Sequence, residues 1–318
     1  MEDRLGGFGC ARALAIGAIA LTLGVNADAR TFARVTLPSL DRDTAGAPLT
    51  LDAILLLPDG PMPAGGFPAI VALHGCSGMY SSLKGRADQL SERLMARADM
   101  LLNEGYALVF PDSFGARGFR EICTIKSGER SISAVKRKLD ALGALAFLAA
   151  RQDIARDRIA LVGWSHGGSA MLAAINARDN DVAAFRDRPG APPFFRAAVA
   201  FYPGCRAALA AGPRWEPAVP ARILIGELDD WTPPKPCVDL GASVAAAARG
   251  DSLKVTVFPG AHHGFDAPGS TVAHRTDVPN GVNPGQGVHV GANPAMREKA
   301  NAKLRGFLDE QLRGRLPD

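Results

Sequence analysis

Ser165 stands in "GWSHGG", a G-x-S-x-G arrangement where the apolar run "RIALVGW" gives way to the helical pattern "GGSAMLAAINAR". A serine hydroxyl is a weak nucleophile at neutral pH. It becomes a strong one beside an imidazole that takes its proton and a carboxylate that orients the imidazole. The chain supplies both types further on: Asp229 and Asp230 follow "ARILIGEL", and His262 and His263 follow "LKVTVFPGA". Two backbone amides must also meet the oxyanion that forms when a carbonyl is attacked. One belongs to His166, directly after the serine. The other falls in the glycine-rich "HGCSG" that ends the run "AIVALHG", with the Cys76 amide favoured.

The elements that must position these groups are legible from about Thr31 onward. "FARVTL" and "LTLDAILLLP" read as an antiparallel pair joined by a short polar link. "AIVALHG", "YALVFPD", "RIALVGWS", "FRAAVAFYPG", "ARILIGELDD" and "LKVTVFPG" are short apolar runs of the kind that form buried parallel strands. Between them lie helical patterns, roughly Lys84 to Asn103, Ile132 to Arg151 and Gly167 to Arg178, and "NPAMREKANAKLRGFLDEQL" closes the chain. This alternation predicts an α/β fold, a mainly parallel sheet with helices on both faces. Reactive groups on such sheets gather beyond the carboxyl ends of the strands. The serine, the acid pair and the histidine pair each stand at such an end. The segment 266–293 is rich in Gly, Pro and Asn and shows no helical or strand period, so it reads as a long loop, functional or disordered.

The chain order serine, acid, histidine is that of the α/β-hydrolase fold. Taken together, "GWSHGG", "LHGCSG", "YALVFPDSFGARG", "ILIGELDDWTPP" and "FPGAHHGFD" resemble the dienelactone hydrolase family of that superfamily, in particular its exported members. The resemblance covers nearly all of Thr31 to Leu312. It implies Ser165 as nucleophile, Asp229 as acid and His263 as base, in a cofactor-free enzyme that opens carboxylic ester or lactone bonds of small molecules through an acyl-enzyme. The namesake enzymes carry cysteine at the nucleophile position, so this chain departs from them there. A peptidase of the prolyl-oligopeptidase type shares the catalytic fold and is the alternative. The residues alone leave Asp230 as a competing acid, with Asp266 behind it. His262 is expected to pack at the strand end and His74 to brace the oxyanion loop. Arg117, just past the "YALVFPD" strand, faces the same crevice. The resemblance implies that it binds a substrate carboxylate, and capping of a loop carbonyl is its competing role.

With 36 basic and 32 acidic residues the net charge is only +4, and the charges are interspersed. No basic run with interleaved aromatics offers a nucleic-acid footprint. At the N-terminus Arg4 and Arg12 precede or flank the apolar run "ALAIGAIALTLGV", and "ADA" follows at Ala27 to Ala29. This pattern predicts a signal peptide over residues 1–29 and a hydrolase domain over 30–318, exported to the periplasm or beyond and free of membrane spans once processed. Cys10 leaves with the signal. Cys76, Cys123, Cys205 and Cys237 remain, and an even count in an exported chain favours disulfides. Cys205 with Cys237, and Cys76 with Cys123, each sit in loops after consecutive strands, so those pairings are expected. No C-x-x-C spacing is present, and no metal centre is expected. The oligomeric state is not legible from the chain.

Overall fold

In a computed structural model, residues 31–247, 252–269 and 271–314 are described. The expected signal peptide lies outside them.

Eight strands form one sheet: β1 (Thr31–Arg42), β2 (Pro48–Leu57), β3 (Phe67–Leu73), β4 (Ala107–Pro111), β5 (Ile154–Trp164), β6 (Ala197–Phe201), β7 (Ala221–Gly226) and β8 (Leu253–Phe258). Their order is β1-β2-β4-β3-β5-β6-β7-β8. β1 and β2 pair antiparallel, as does β2 with β4, and every other pairing is parallel. Every residue of β3, β4 and β6 is buried, as expected of central strands covered on both faces.

Among the described residues seven α-helices connect or flank the strands: α1 (Glu92–Asn103), α2 (Ala134–Ala149), α3 (His166–Ala174), α4 (Asn180–Asp187), α5 (Arg206–Ala211), α6 (Lys235–Ala246) and α7 (Pro294–Arg313). The strand order reverses direction after β4, so right-handed crossovers put α1 on one face and α2 on the other. This is the α/β architecture expected from the alternation of runs. Capping residues set the helix ends: Ser133 accepts from the Lys136 amide at α2, and Asn293 accepts from the Met296 amide at α7. Gly314, at φ 65°, stops α7.

Two expectations are corrected. The helix foreseen from Lys84 begins only at Glu92, because Gly85 sits at φ 79° and the chain before the helix folds back on itself. There the Ser81 amide bonds the Gln89 carbonyl (2.8 Å) and the Ser91 amide bonds Met79 (2.9 Å). The segment read as a structureless loop contains a hairpin of β9 (Val272–Arg275) and β10 (Val288–Gly291). Four-residue strands give too few alternations to register as a period. What holds them is tertiary: Val290 bridges to His263, and the Gly291 amide donates to the His263 carbonyl at 3.0 Å.

Candidate active site

Ser165 occupies the corner between β5 and α3 at φ 54° and ψ −118°, a conformation that costs a non-glycine residue energy and persists only where its surroundings enforce it. The enforcement comes from the flanking glycines. A Cβ on Gly163 would lie 2.2 Å from the Gly167 carbonyl, and one on Gly167 would lie 2.2 Å from the Leu73 carbonyl. The corner therefore closes only with glycine at both places, and the serine projects from its tip.

His263 Nε2 lies 3.0 Å from Ser165 Oγ, and Nδ1 lies 2.9 Å from Asp229 Oδ2. Asp229 is held from the other side. Its Oδ1 accepts the Trp231 and Thr232 amides at 3.0 and 2.8 Å, an Asx turn that aims the carboxylate at the imidazole. The Thr232 hydroxyl sits 3.0 Å from Oδ2. The His263 ring packs between Tyr202 and Trp231, with centroids 4.5 and 4.7 Å away. Asp229 and His263 are both buried. Thr232, Tyr202 and Trp231 were not singled out from the sequence. A threonine three residues after an aspartate is a readable Asx-turn signal, whereas nothing local marks the two aromatics.

The neighbouring candidates lie elsewhere. Asp230 faces the hairpin, where it accepts the His289 amide (2.8 Å) and pairs with His289 Nδ1 (2.7 Å). Partial burial raises its carboxyl, but these His289 contacts outweigh burial and hold it below the usual range. Asp266 is buried under the corner, bidentate with Arg97 (2.8 and 2.6 Å), and accepts from Tyr202 Oη (2.6 Å) and Trp164 Nε1 (2.9 Å). That network ties α1, β5 and β6 together beneath Ser165. His262 bonds the Leu228 carbonyl at the strand end.

The Gly75–Cys76 turn lies against the corner, where a Cβ on Gly75 would sit 3.5 Å from Ser165 Cβ. His74 braces this turn from inside: Nδ1 bonds the Gly75 carbonyl (2.8 Å) and Nε2 accepts the Ser113 amide (3.3 Å). Burial and the Arg137 charge keep its ring neutral, well below the ordinary histidine range. A disulfide joins Cys76 to Cys123, with Cα atoms 4.9 Å apart, and a second joins Cys205 to Cys237 at 5.1 Å. Both expected pairings are thus present in the structure. The first fixes the turn that lies against the serine corner, and the second ties the loop after β6 to α6.

Arg117 is placed differently from the expectation that it reaches the crevice. Its guanidinium turns inward, making a bidentate pair with Asp140 (2.8 and 3.0 Å), a pair with Asp41 (2.9 Å) and a bond to the Ser113 carbonyl (2.7 Å). With its side chain 10 % exposed and two carboxylates in reach, the lower-energy position is the ion pair rather than the cleft. Arg117→Ala is expected to lower stability by about 3 kcal/mol, because it strands the buried Asp140. Chemical denaturation checks this, and an intact midpoint with a raised KM for acidic esters would restore the substrate-binding role.

Two cavities meet at Ser165. The larger, about 770 Å³, is lined by His263, Trp164, Tyr202, Arg93 and Arg275. The smaller, about 440 Å³, is lined by His166, Ser169, Arg130, Arg206 and Thr232. Cys76 and Trp231 border both. Among the described residues no group of three His, Cys, Asp or Glu side chains is placed to hold a metal, and no helix is long and apolar enough to cross a membrane.

Residues 51–312 match the dienelactone hydrolase family. The chain belongs to that family. No curated protein matches it. Among solved structures, family likeness extends to the fold: a Klebsiella pneumoniae protein provisionally called a dienelactone hydrolase is 15 % identical, with a TM-score of 0.60 over 89 % of this chain and all of that one. Thermogutta terrifontis esterase 2, solved phosphorylated by paraoxon, is 16 % identical, with a TM-score of 0.55 over 86 % of this chain and 92 % of its own. Pyrococcus horikoshii acylaminoacyl peptidase is also 16 % identical, at a TM-score of 0.57, but the match covers 90 % of this chain and only 42 % of the peptidase. Membership in the dienelactone hydrolase family makes this an α/β-hydrolase-fold enzyme of the hydrolase class.

Proposed function

We propose that the protein is a serine esterase that cleaves carboxylic ester or lactone bonds of small molecules through an acyl-enzyme. The observation that carries this reading is the unbroken line Ser165 Oγ, His263 Nε2, His263 Nδ1, Asp229 Oδ2, with separations of 3.0 and 2.9 Å across its two gaps. In acylation Ser165 Oγ bonds the carbonyl carbon while its proton passes to His263 Nε2. The tetrahedral oxyanion meets the Cys76 and His166 amides. Its collapse breaks the carbonyl carbon–alkoxy bond, and His263 returns the proton to the departing alkoxide. Water then repeats the sequence, releasing the acid and restoring the serine. Asp229 keeps the Nδ1 proton in place and stabilises the imidazolium. The chain uses no cofactor in these steps.

The test is a panel of p-nitrophenyl esters against aminoacyl p-nitroanilides, with paraoxon as a covalent probe. Turnover of the esters, and one phosphoryl group per chain on Ser165 by peptide mass spectrometry, are expected. Preference for the anilides would favour the peptidase reading. Export is part of the proposal. It rests on the N-terminal apolar run, and the two disulfides fit an oxidising compartment. N-terminal sequencing of protein recovered from the periplasm or medium should begin at Arg30, and an intact Met1 would refute processing.

A further inference from the structure

Beneath the smaller cavity lies a cation that the reaction above does not use. Arg137, on α2, is fully buried, and among the described residues no carboxylate hydrogen-bonds it, although Asp140 and Asp112 lie near enough to act on its charge. One Nη donates to the His74 carbonyl (2.7 Å), the other points at His166 Nδ1 (3.0 Å), and Nε has no partner. The guanidinium lies over the Phe114 ring at 5.1 Å. A guanidinium has donors and no acceptor, so Nδ1 of His166 must accept. The imidazole is therefore neutral with its hydrogen on Nε2. With the Nδ1 edge turned to Arg137, the Nε2–H edge is the one left for the cavity that His166 lines with Ser165.

We propose that the His166 side chain is a hydrogen-bond donor to the acyl part of the substrate, with Arg137 as the positioning residue that fixes its tautomer. The preferred substrates are then esters whose short acyl chain carries an acceptor oxygen. This rests on Ser165 and His263 acting as described above. The leaving alcohol must take its proton from His263, which lines the larger cavity and not the smaller, so the alcohol departs through the larger and the acyl chain occupies the smaller. The smaller cavity suits an electron-rich chain, since Arg130 and Arg206 line it and no carboxylate does. Burial, with the charges of Arg137 and Arg130, keeps His166 well below the ordinary histidine range, so the donor stays neutral at physiological pH. Arg137 itself, lowered to about 10 by burial, stays charged there.

The experiment compares isosteric pairs of p-nitrophenyl esters: methoxyacetate with butyrate, and 3-methoxypropionate with valerate. In wild type, the ratio of kcat/KM within a pair includes the intrinsic reactivity of each ester, so the readout is the change in that ratio on mutation. His166→Leu is expected to lower the ratio about tenfold for at least one pair, the worth of one lost hydrogen bond to a neutral acceptor. His166→Gln, which keeps an N–H near the Nε2 position, should restore most of it. Arg137→Met should lower the same ratio in wild type and leave it unchanged in the His166→Leu background. Should Arg137→Met fail to fold, ¹⁵N shifts of the His166 ring in the wild-type enzyme report the tautomer directly, and Nδ1–H would overturn the proposal. Unchanged ratios in His166→Leu for both pairs would overturn it as well. So would a tenfold effect that appears only when the methoxy group is moved to the alcohol, as in 2-methoxyethyl against butyl butyrate. Failure of the serine-esterase reading is distinct, because it appears as Ser165→Ala retaining activity on every ester of the panel.

Discussion

Ser165→Ala is expected to lower kcat on a p-nitrophenyl ester by about 10⁵- to 10⁶-fold while leaving the fold intact, because the residual oxyanion site cannot replace a nucleophile. Ser165 follows a strand whose last four residues are buried, and its strained φ of 54° is set by glycine contacts rather than by its own side chain, so alanine fits the same corner. Removing the hydroxyl leaves the backbone bonds of the corner, Ser165 N to Phe201 O and Ser169 N to Ser165 O, both at 2.9 Å. His263→Ala should approach the same loss, since Nε2 is the group 3.0 Å from the hydroxyl. His262→Ala, which removes a half-buried ring bonded to the Leu228 carbonyl and not to the serine, should cost less than about tenfold. Steady-state kinetics on protein with native circular dichroism decides it. Wild-type rates in Ser165→Ala, or a greater loss in His262→Ala than in His263→Ala, would remove the catalytic assignment.

Asp229→Asn should lower kcat by about 10⁴-fold, and Asp230→Asn by less than about tenfold. An amide at position 229 can offer N–H to His263 Nδ1, which then loses its proton to Nε2 and can no longer accept one from Ser165. The ring would stay in place between Tyr202 and Trp231, so the loss should fall on kcat with KM little changed. Asp230 bonds the hairpin through His289, whereas the His263 ring is bonded by Asp229. Its replacement should loosen the segment 272–291 and raise KM if that hairpin shapes the larger cavity, to which Arg275 and Val290 contribute. Equal kcat losses for the two variants would mean that neither carboxylate orients His263.

What the sequence determined by itself is what depends on residue type, order and local period. Short apolar runs separated by helical patterns permit little other than a covered parallel sheet, and β3 through β8 lie where those runs are. The serine corner was legible because only glycine tolerates the 2.2 Å approaches at Gly163 and Gly167, so the motif is a steric requirement written in letters. The cysteine pairs were legible because loops after consecutive strands end up on one side of one sheet. Tertiary structure alone decided matters in which neighbouring positions compete for distant partners. Asp229 and Asp230 differ by one residue, and an Asx turn closed by the Trp231 and Thr232 amides sends one toward His263 and the other toward His289. Arg117 stands where a cleft arginine would stand, yet Asp41 and Asp140, 76 and 23 residues away, offer it stronger partners inside the protein. The hairpin of β9 and β10 has too short a period to announce itself and exists because Val290 and Gly291 add to the His263 backbone. Arg137 carries no local mark within the helical pattern from Ile132 to Arg151. Its burial beneath His166 follows from how α2 crosses the sheet, and no local pattern encodes a contact between residues 29 apart on different elements.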